Sequence, residues 1–224
     1  MLILLFVAML SFDELIVLAF EELTTINNEW FRPPCPSDSM VLQMSFAQIK
    51  KKLREFRVLP DLINEPPKLP MMVEWIEKEA EFGNFVETYV IKIAPFWIEW
   101  KCDYYELHTV MMLGLDEPSA TNPYLRQYQF WIVGNVEEFN FIHGEEITAW
   151  IPPRPANGSG PHRYVFLVYR QPQKLDFTEY HLTETHFLDR RGNFSHQSFA
   201  KKYNLGKPIA INFFISGHAS PPPF

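Results

Sequence analysis

The chain has 224 residues, 47% of them hydrophobic and 16% aromatic, including 20 Phe; this is enough apolar material to bury a sizeable core without metal or disulfide staples. Such a composition excludes a disordered chain and a small disulfide framework. The formal net charge of -7 excludes the general attraction to phosphate backbones on which nucleic-acid binders rely, so nucleic acid is not an expected partner and any anion must be held by a local site.

The opening MLILLFVAML has the apolar character of a secretory signal, but no Lys or Arg precedes it, and Asp13 and Glu14 interrupt it before LIVLAF. Two localisations are therefore expected as alternatives, cytoplasmic or secreted through this signal-like segment. Neither run reaches the roughly 20 apolar residues that span a bilayer. FRPPCPSDS reads as a Pro-rich linker, because proline removes backbone donors and blocks regular structure. The expected organisation is an extension over 1–40, a domain over 41–217 and a Pro-rich tail over 218–224. Cys35 and Cys102, far apart in the chain, define neither a redox motif nor a zinc site.

In SFAQIKKKLREF, Phe46, Ile49, Leu53 and Phe56 recur at three- and four-residue steps behind Ser45, which predicts an amphipathic helix capped by that serine. Lys50, Lys51, Lys52 and Arg54 then form its solvated face. From residue 70 onward, MMVEWIE, FVETYVIKI, FWIEW, YYELHTVMMLGLD, YQFWIVGNVEE and RYVFLVYRQ are rich in β-branched and aromatic residues and read as strands. Gly83-Asn84, Ala94-Pro95, the stretch 118–123 and PPRPANGSGP separate them with turn chemistry. SHQSFAKKYNL predicts a short helix and PIAINFFIS a last strand. The expected fold is mainly β, an antiparallel β-sandwich with a few short peripheral helices.

No catalytic signature accompanies this pattern. GSGPH precedes a strand and lacks the Gly-x-Ser-x-Gly spacing of a hydrolase elbow, so Ser159 and His162 do not read as nucleophile and base. His181 and His186 lack a third ligand at metal spacing, and there is no Gly-rich phosphate loop. The expectation is a non-enzymatic binding module with no cofactor and no metal.

VMMLGLDEPSA, RQYQFWIVGNV, GSGPHRYVFLVYRQ and DRRGNFSHQSFAKKYNLGKPIAINFF, together with the upstream REFRVLPDLINEPPKLPMMVEW, resemble in order and spacing the phosphatidylethanolamine-binding protein family across roughly residues 56 to 215. The resemblance implies face-to-face antiparallel sheets and a small pocket for phosphate-type head groups or other small anions. Carried over position by position, it places Asp116, Pro118, Tyr128, Phe130, Pro155, His162 and Tyr164 around that pocket. The match is incomplete: Gly114 stands where the family's first turn aspartate would be, Leu115 replaces the following proline, Phe130 replaces a histidine and Ala156 a rim proline. One lost imidazole donor is worth roughly 1.5–3 kcal/mol of anion affinity.

Other readings stay open for these residues. His162 can be a strand-end residue hydrogen-bonded locally, Tyr164 can belong to the core, and Tyr128 and Phe130 share a face by period two, as packing aromatics do. Arg163 alternates away from His162 and is expected to pair with a carboxylate such as Asp116. Asn157-Gly158-Ser159 and Asn193-Phe194-Ser195 are glycosylation sequons if the chain is secreted. The resemblance implies as partners a phospholipid head group or small anion, with peripheral membrane contact, and a kinase or protease under regulation. The alternative is a pocket-degenerate structural or interaction module, like the related domain of a mitochondrial large-subunit ribosomal protein.

Overall fold

Helix α1, Phe46–Glu55, opens on the expected cap: the Ser45 hydroxyl accepts from the Gln48 backbone N–H, and the Gln48 side chain accepts from the Ser45 N–H at 2.8 Å. Ile49 and Leu53 are fully buried, whereas Phe46, expected on the same stripe, is 47% exposed. The computed structural model that shows this describes residues 44–186 and 190–218. The expected extension and linker, with Cys35, and the tail beyond His218 lie outside the described residues.

After a short helix α2, Val58–Asp61, the strands follow: β1 Leu69–Trp75, β2 Lys78–Glu79, β3 Trp97–Trp100, β4 Leu107–Gly114, β5 Tyr128–Glu137, β6 Glu145–Thr148, β7 His162–Arg170 and β8 Ala210–Ser216. Helix α3, His196–Lys202, precedes β8 and is capped by the Ser195 hydroxyl. The mainly β expectation with few short helices is met. The sandwich expectation takes a different form: hydrogen bonds link the strands into one open sheet in the order β2-β1-β8-β7-β4-β5-β6, with β3 also on β1. One junction is parallel, Leu69 and Pro70 of β1 against Ala210 and Ile211 of β8. Past those two residues β1 pairs with β3, and Trp75 packs on Phe166 and Phe214, with ring centroids 6.2 and 5.3 Å away. The β1–β3 portion thereby covers one face of the main sheet without forming a separate one.

Central strands carry apolar residues on both faces because each face has its own core. Met112, Phe166, Val168 and Phe214 join Met71, Val73 and Trp100 on one side. Met111, Leu113, Val165, Leu167 and Phe213 join Ile49, Leu53 and Phe199 on the other. This alternation explains why VMML and YVFLV read as unbroken hydrophobic runs.

FVETYVIKI, residues 85–93, does not form the expected strand. Only Phe85 makes an isolated bridge, to Ile215, and Val90–Lys92 is a 3-10 turn. Val86, Val90 and Ile91 are buried while Tyr89 and Ile93 are 57% exposed, a spacing that no alternating strand can produce. The expectation also omitted β6 and the two-residue β2.

His108 of β4 is fully buried, edge-on to Trp100 at 5.2 Å, with Nε2 3.6 Å from the Glu106 carboxylate. Burial pushes its imidazole down to about 4, against the opposing pull of Glu106. The unfolded chain takes up this proton near pH 6.5 and the folded chain does not until about pH 4, so stability is lost as pH falls through that window. The full effect is about 3 kcal/mol. Urea unfolding at pH 7 and pH 4.5 should show the native chain losing about 2–3 kcal/mol more than His108→Leu; equal losses would remove His108 as the cause.

Candidate functional site

Strand pairing assembles the site at one end of the main sheet. Gly114, the last residue of β4, lies opposite Tyr128 of β5 and Tyr164 of β7, and Tyr164 lies opposite Phe214 of β8. The turn Leu115-Asp116-Glu117-Pro118 leaves β4 here, and the Leu115 N–H donates to the Arg163 carbonyl at 3.0 Å. The loop leading into β7 uses Gly158 and Gly160 at φ +78° and +81°, a conformation that glycine adopts without strain.

Asp116 turns to one side of this turn. It is 3% exposed, and it accepts from the Arg163 backbone N–H at 2.9 Å, Nε at 2.8 Å and Nη2 at 2.7 Å, with Arg126 Nη2 at 3.2 Å. Arg163 Nη1 also donates to Asp61 of α2 and to the Phe56 carbonyl, at 2.9 and 3.0 Å. Burial alone would raise the Asp116 carboxyl, but the hydrogen bonds and charge of Arg163 more than reverse this and hold it below its ordinary value. The expected Arg163–Asp116 pair is present, and it commits Asp116 to the fold.

Glu117 turns to the other side. Its Oε1 accepts from His162 Nδ1 at 3.0 Å and from the Tyr164 hydroxyl at 3.1 Å. His162 and Tyr164 have no exposed surface. Burial, and then the Glu117 charge, push the Tyr164 phenol well above its ordinary value, which keeps it a hydrogen-bond donor. Rings close the remaining space: Tyr128–Phe130 at 5.0 Å, Phe130–Tyr164 edge-to-face at 5.2 Å and Tyr164–Phe214 stacked at 5.2 Å. A side chain at position 114 would meet the Phe130 ring at 2.6 Å, so Phe130 occupies the room beside Gly114. Behind Tyr128, fully buried Arg191 donates to the carbonyls of Gln129, Ala149, Thr183 and His186.

His162 Nε2 lies 2.9 Å from the Ser159 hydroxyl, so Ser159, His162 and Glu117 have the outline of a hydrolytic relay. The same hydroxyl donates to the Ala156 carbonyl at 2.7 Å. One hydroxyl proton cannot serve two acceptors, so with that bond made Ser159 has no proton to hand to His162 and is not set up as a nucleophile. Ser159 is 7% exposed and acts as a clasp on the loop.

The structure therefore brings His162, Tyr164, Phe130 and Tyr128 together. Pro118 follows Glu117, half-buried, and Asp116 faces the arginines instead. Pro155 lines a separate groove of about 460 Å³. Thr88, Pro153 and Pro155 form part of its wall, and Lys92, Arg154 and His218 place three basic side chains on it. Sequence reasoning missed Glu117, Lys92 and Arg154. Glu117 could have been suspected from its place inside the quoted turn; the other two come from segments remote in the chain, which only the fold joins.

A phosphatidylethanolamine-binding protein family model matches residues 106–214. The chain is 32% identical over 169 residues to "Putative odorant-binding protein A5" of Drosophila melanogaster, covering 75% of this chain and 80% of that protein. It is 31% identical over 160 residues to the "26 kDa secreted antigen" of Toxocara canis, covering 71% of this chain and 60% of that one. The fold is similar to that of a carboxypeptidase Y inhibitor solved in complex with its cognate proteinase, with a TM-score of 0.67 at 23% identity, covering 80% of this chain and 98% of that one. It is also similar to a phosphatidylethanolamine-binding protein from Plasmodium vivax, with a TM-score of 0.66 at 16% identity over 75% of this chain and 97% of that one.

Asp116→Asn leaves two partly buried guanidinium groups facing a neutral amide and should cost about 3 kcal/mol or more in urea unfolding, whereas a loss below about 1 kcal/mol would mark the pair as surface-like. Gly114→Ala should cost about 1–3 kcal/mol, because its new methyl meets the Phe130 ring. That cost should shrink in a Phe130→Leu background; strict additivity would separate the two positions.

Proposed function

The chain belongs to the phosphatidylethanolamine-binding protein family, and on that premise we propose that it is a non-catalytic binding protein whose seat for a phosphate-bearing head group or other small anion is the groove carrying Lys92 and Arg154. One observation carries the reading: a chain of net charge -7 turns Lys92, Arg154 and His218 onto a single proline-walled groove. Cations on an apolar wall suit a ligand with an anionic head and an apolar remainder, the composition of a lipid head-group region. The head-group reading carries peripheral membrane contact with it.

A binding role is supported by the relative named an odorant-binding protein; the other relative is named a secreted antigen. The latter name also favours secretion over a cytoplasmic location. The similar fold of a protease inhibitor supports a protease, rather than a kinase, as the partner under regulation. A second reading, the pocket-degenerate interaction module, is favoured by the hollow at His162, which Glu117 and Phe130 fill.

Titrating the full chain with O-phosphorylethanolamine or inorganic phosphate, followed by NMR, should shift resonances of Lys92, Arg154 and His218. Lys92→Ala and Arg154→Ala should each weaken binding by about three- to tenfold, the range for exposed charge-assisted contacts. Silence of these resonances at millimolar ligand would favour the interaction module.

A further inference from the structure

Helix α1 concentrates positive charge in a chain where Asp and Glu outnumber Lys and Arg by 27 to 20. Lys50, Lys51, Lys52, Arg54 and Arg57 fall on it and on the turn that leaves it. Its single acid, Glu55, lies 3.4 Å from Lys52. Lys78, Lys202, Lys207, Arg126, Arg163 and Arg170 each meet a carboxylate elsewhere, but Lys50, Lys51, Arg54 and Arg57 form no ion pair with any described residue. We propose that these four side chains form a docking surface for a linear sulfated polysaccharide. The surface shares no residue with the groove at Lys92 and Arg154, and it rests on the secreted reading above only in the choice of polyanion.

The helix is held rigidly in place: its capping box fixes one end, Ile49 and Leu53 are fully buried, and the Phe56 ring packs edge-on against Phe213 at 5.3 Å. Lys50 and Arg54, four residues apart, are neighbours about 6 Å apart along the axis, and Lys51 lies on the side turned away from the core. Arg57 continues the row from the turn at φ 54°, ψ 24°, with its N–H donating to the Arg54 carbonyl at 3.1 Å. Glycine is the usual residue in that left-handed position after a helix, so the chain keeps a cation there against backbone preference. The partner follows from what the surface lacks. A helix that enters a bilayer needs a free apolar face, and a protein interface needs an apolar centre. Ile49 and Leu53 are already spent on the core, which leaves Phe46 as the one large exposed apolar side chain of α1. A row of cations without an apolar face suits a polymer of anions, which gains from charge alone. Outside the cell that polymer is a sulfated polysaccharide.

The probe is heparin, titrated calorimetrically into the full chain at several salt concentrations. Four cations releasing counterions should give a log–log slope of affinity against salt of about −3. The combined variant Lys50→Ala, Lys51→Ala, Arg54→Ala keeps the buried face and the helix propensity; it should bind about tenfold or more weakly, with a slope near about −1. Arg57→Gly should bind about twofold or more weakly while its melting temperature stays level or rises, a combination that a purely structural arginine would not give. No heparin binding by the native chain at about 50 mM salt would overturn the proposal. So would unchanged affinity of the combined variant, which retains Lys92 and Arg154 and therefore exposes any binding in the groove instead. Tighter binding of phosphatidylserine vesicles, or of a thymidine oligonucleotide, at equal anion concentration would assign the surface to a membrane or a nucleic acid and likewise overturn it.

Discussion

A carboxylate with almost no exposed surface keeps its charge only if the fold supplies donors for it, and Asp116 receives four, three from Arg163 and one from Arg126. The rest of the site hangs on this pair. It fixes the turn after β4 against the start of β7, and Asp61 and the Phe56 carbonyl extend the same guanidinium grip to the helical segment. His162 and Arg163 point to opposite sides of β7, and the turn aims Asp116 at Arg163 and Glu117 at His162. The dipeptides Asp116-Glu117 and His162-Arg163 thus form two acid–base pairs on opposite sides of one strand end. A slip of one residue would set Glu117 against Arg163 and strand Asp116 among aromatic rings, so the pairs also specify register.

Gly114 and Phe130 looked like two separate departures from the family pattern, each removing a polar group from the pocket. The Phe130 ring stands where a side chain on residue 114 would go, so the two are one change in the distribution of volume. A larger residue at 114 would require a smaller one at 130. With Phe130 where the family pattern has a histidine, the remaining imidazole and phenol meet the nearest carboxylate the chain offers, that of Glu117.

Much of this was legible before any coordinates. The helix at Ser45, the long strands β4, β5, β7 and β8, and the Arg163–Asp116 pair follow from periodicity, capping chemistry and the cost of an unpaired buried guanidinium. The segment 85–93 was misread because its β-branched and aromatic content imitates a strand although its burial does not alternate. Strand β6 was hidden by Glu145 and Glu146, charges that suit an edge strand but blur its pattern. The identity of the acid that meets His162 was not legible, because it depends on which way each residue of a four-residue turn faces. Residue types at Asp116 and Glu117 are nearly equivalent, and their surroundings alone assign one to the scaffold and the other to the hollow at His162.

The two anion-holding places differ in solvation, and that decides what each can hold. At His162 the donors are fully buried, so an incoming anion must surrender its water; a carboxylate tethered next door has already given up most of its translational freedom and meets that cost where a free one does not. Lys92, Arg154 and His218 are exposed, so the groove demands little desolvation but gives each contact less energy and leaves it open to screening by salt. Affinity there has to come from several weak contacts acting together, with Pro153 and Pro155 taking up the apolar part of the ligand. A bare anion gains only the charged half of that arrangement, whereas a head group that keeps part of its hydrocarbon gains both.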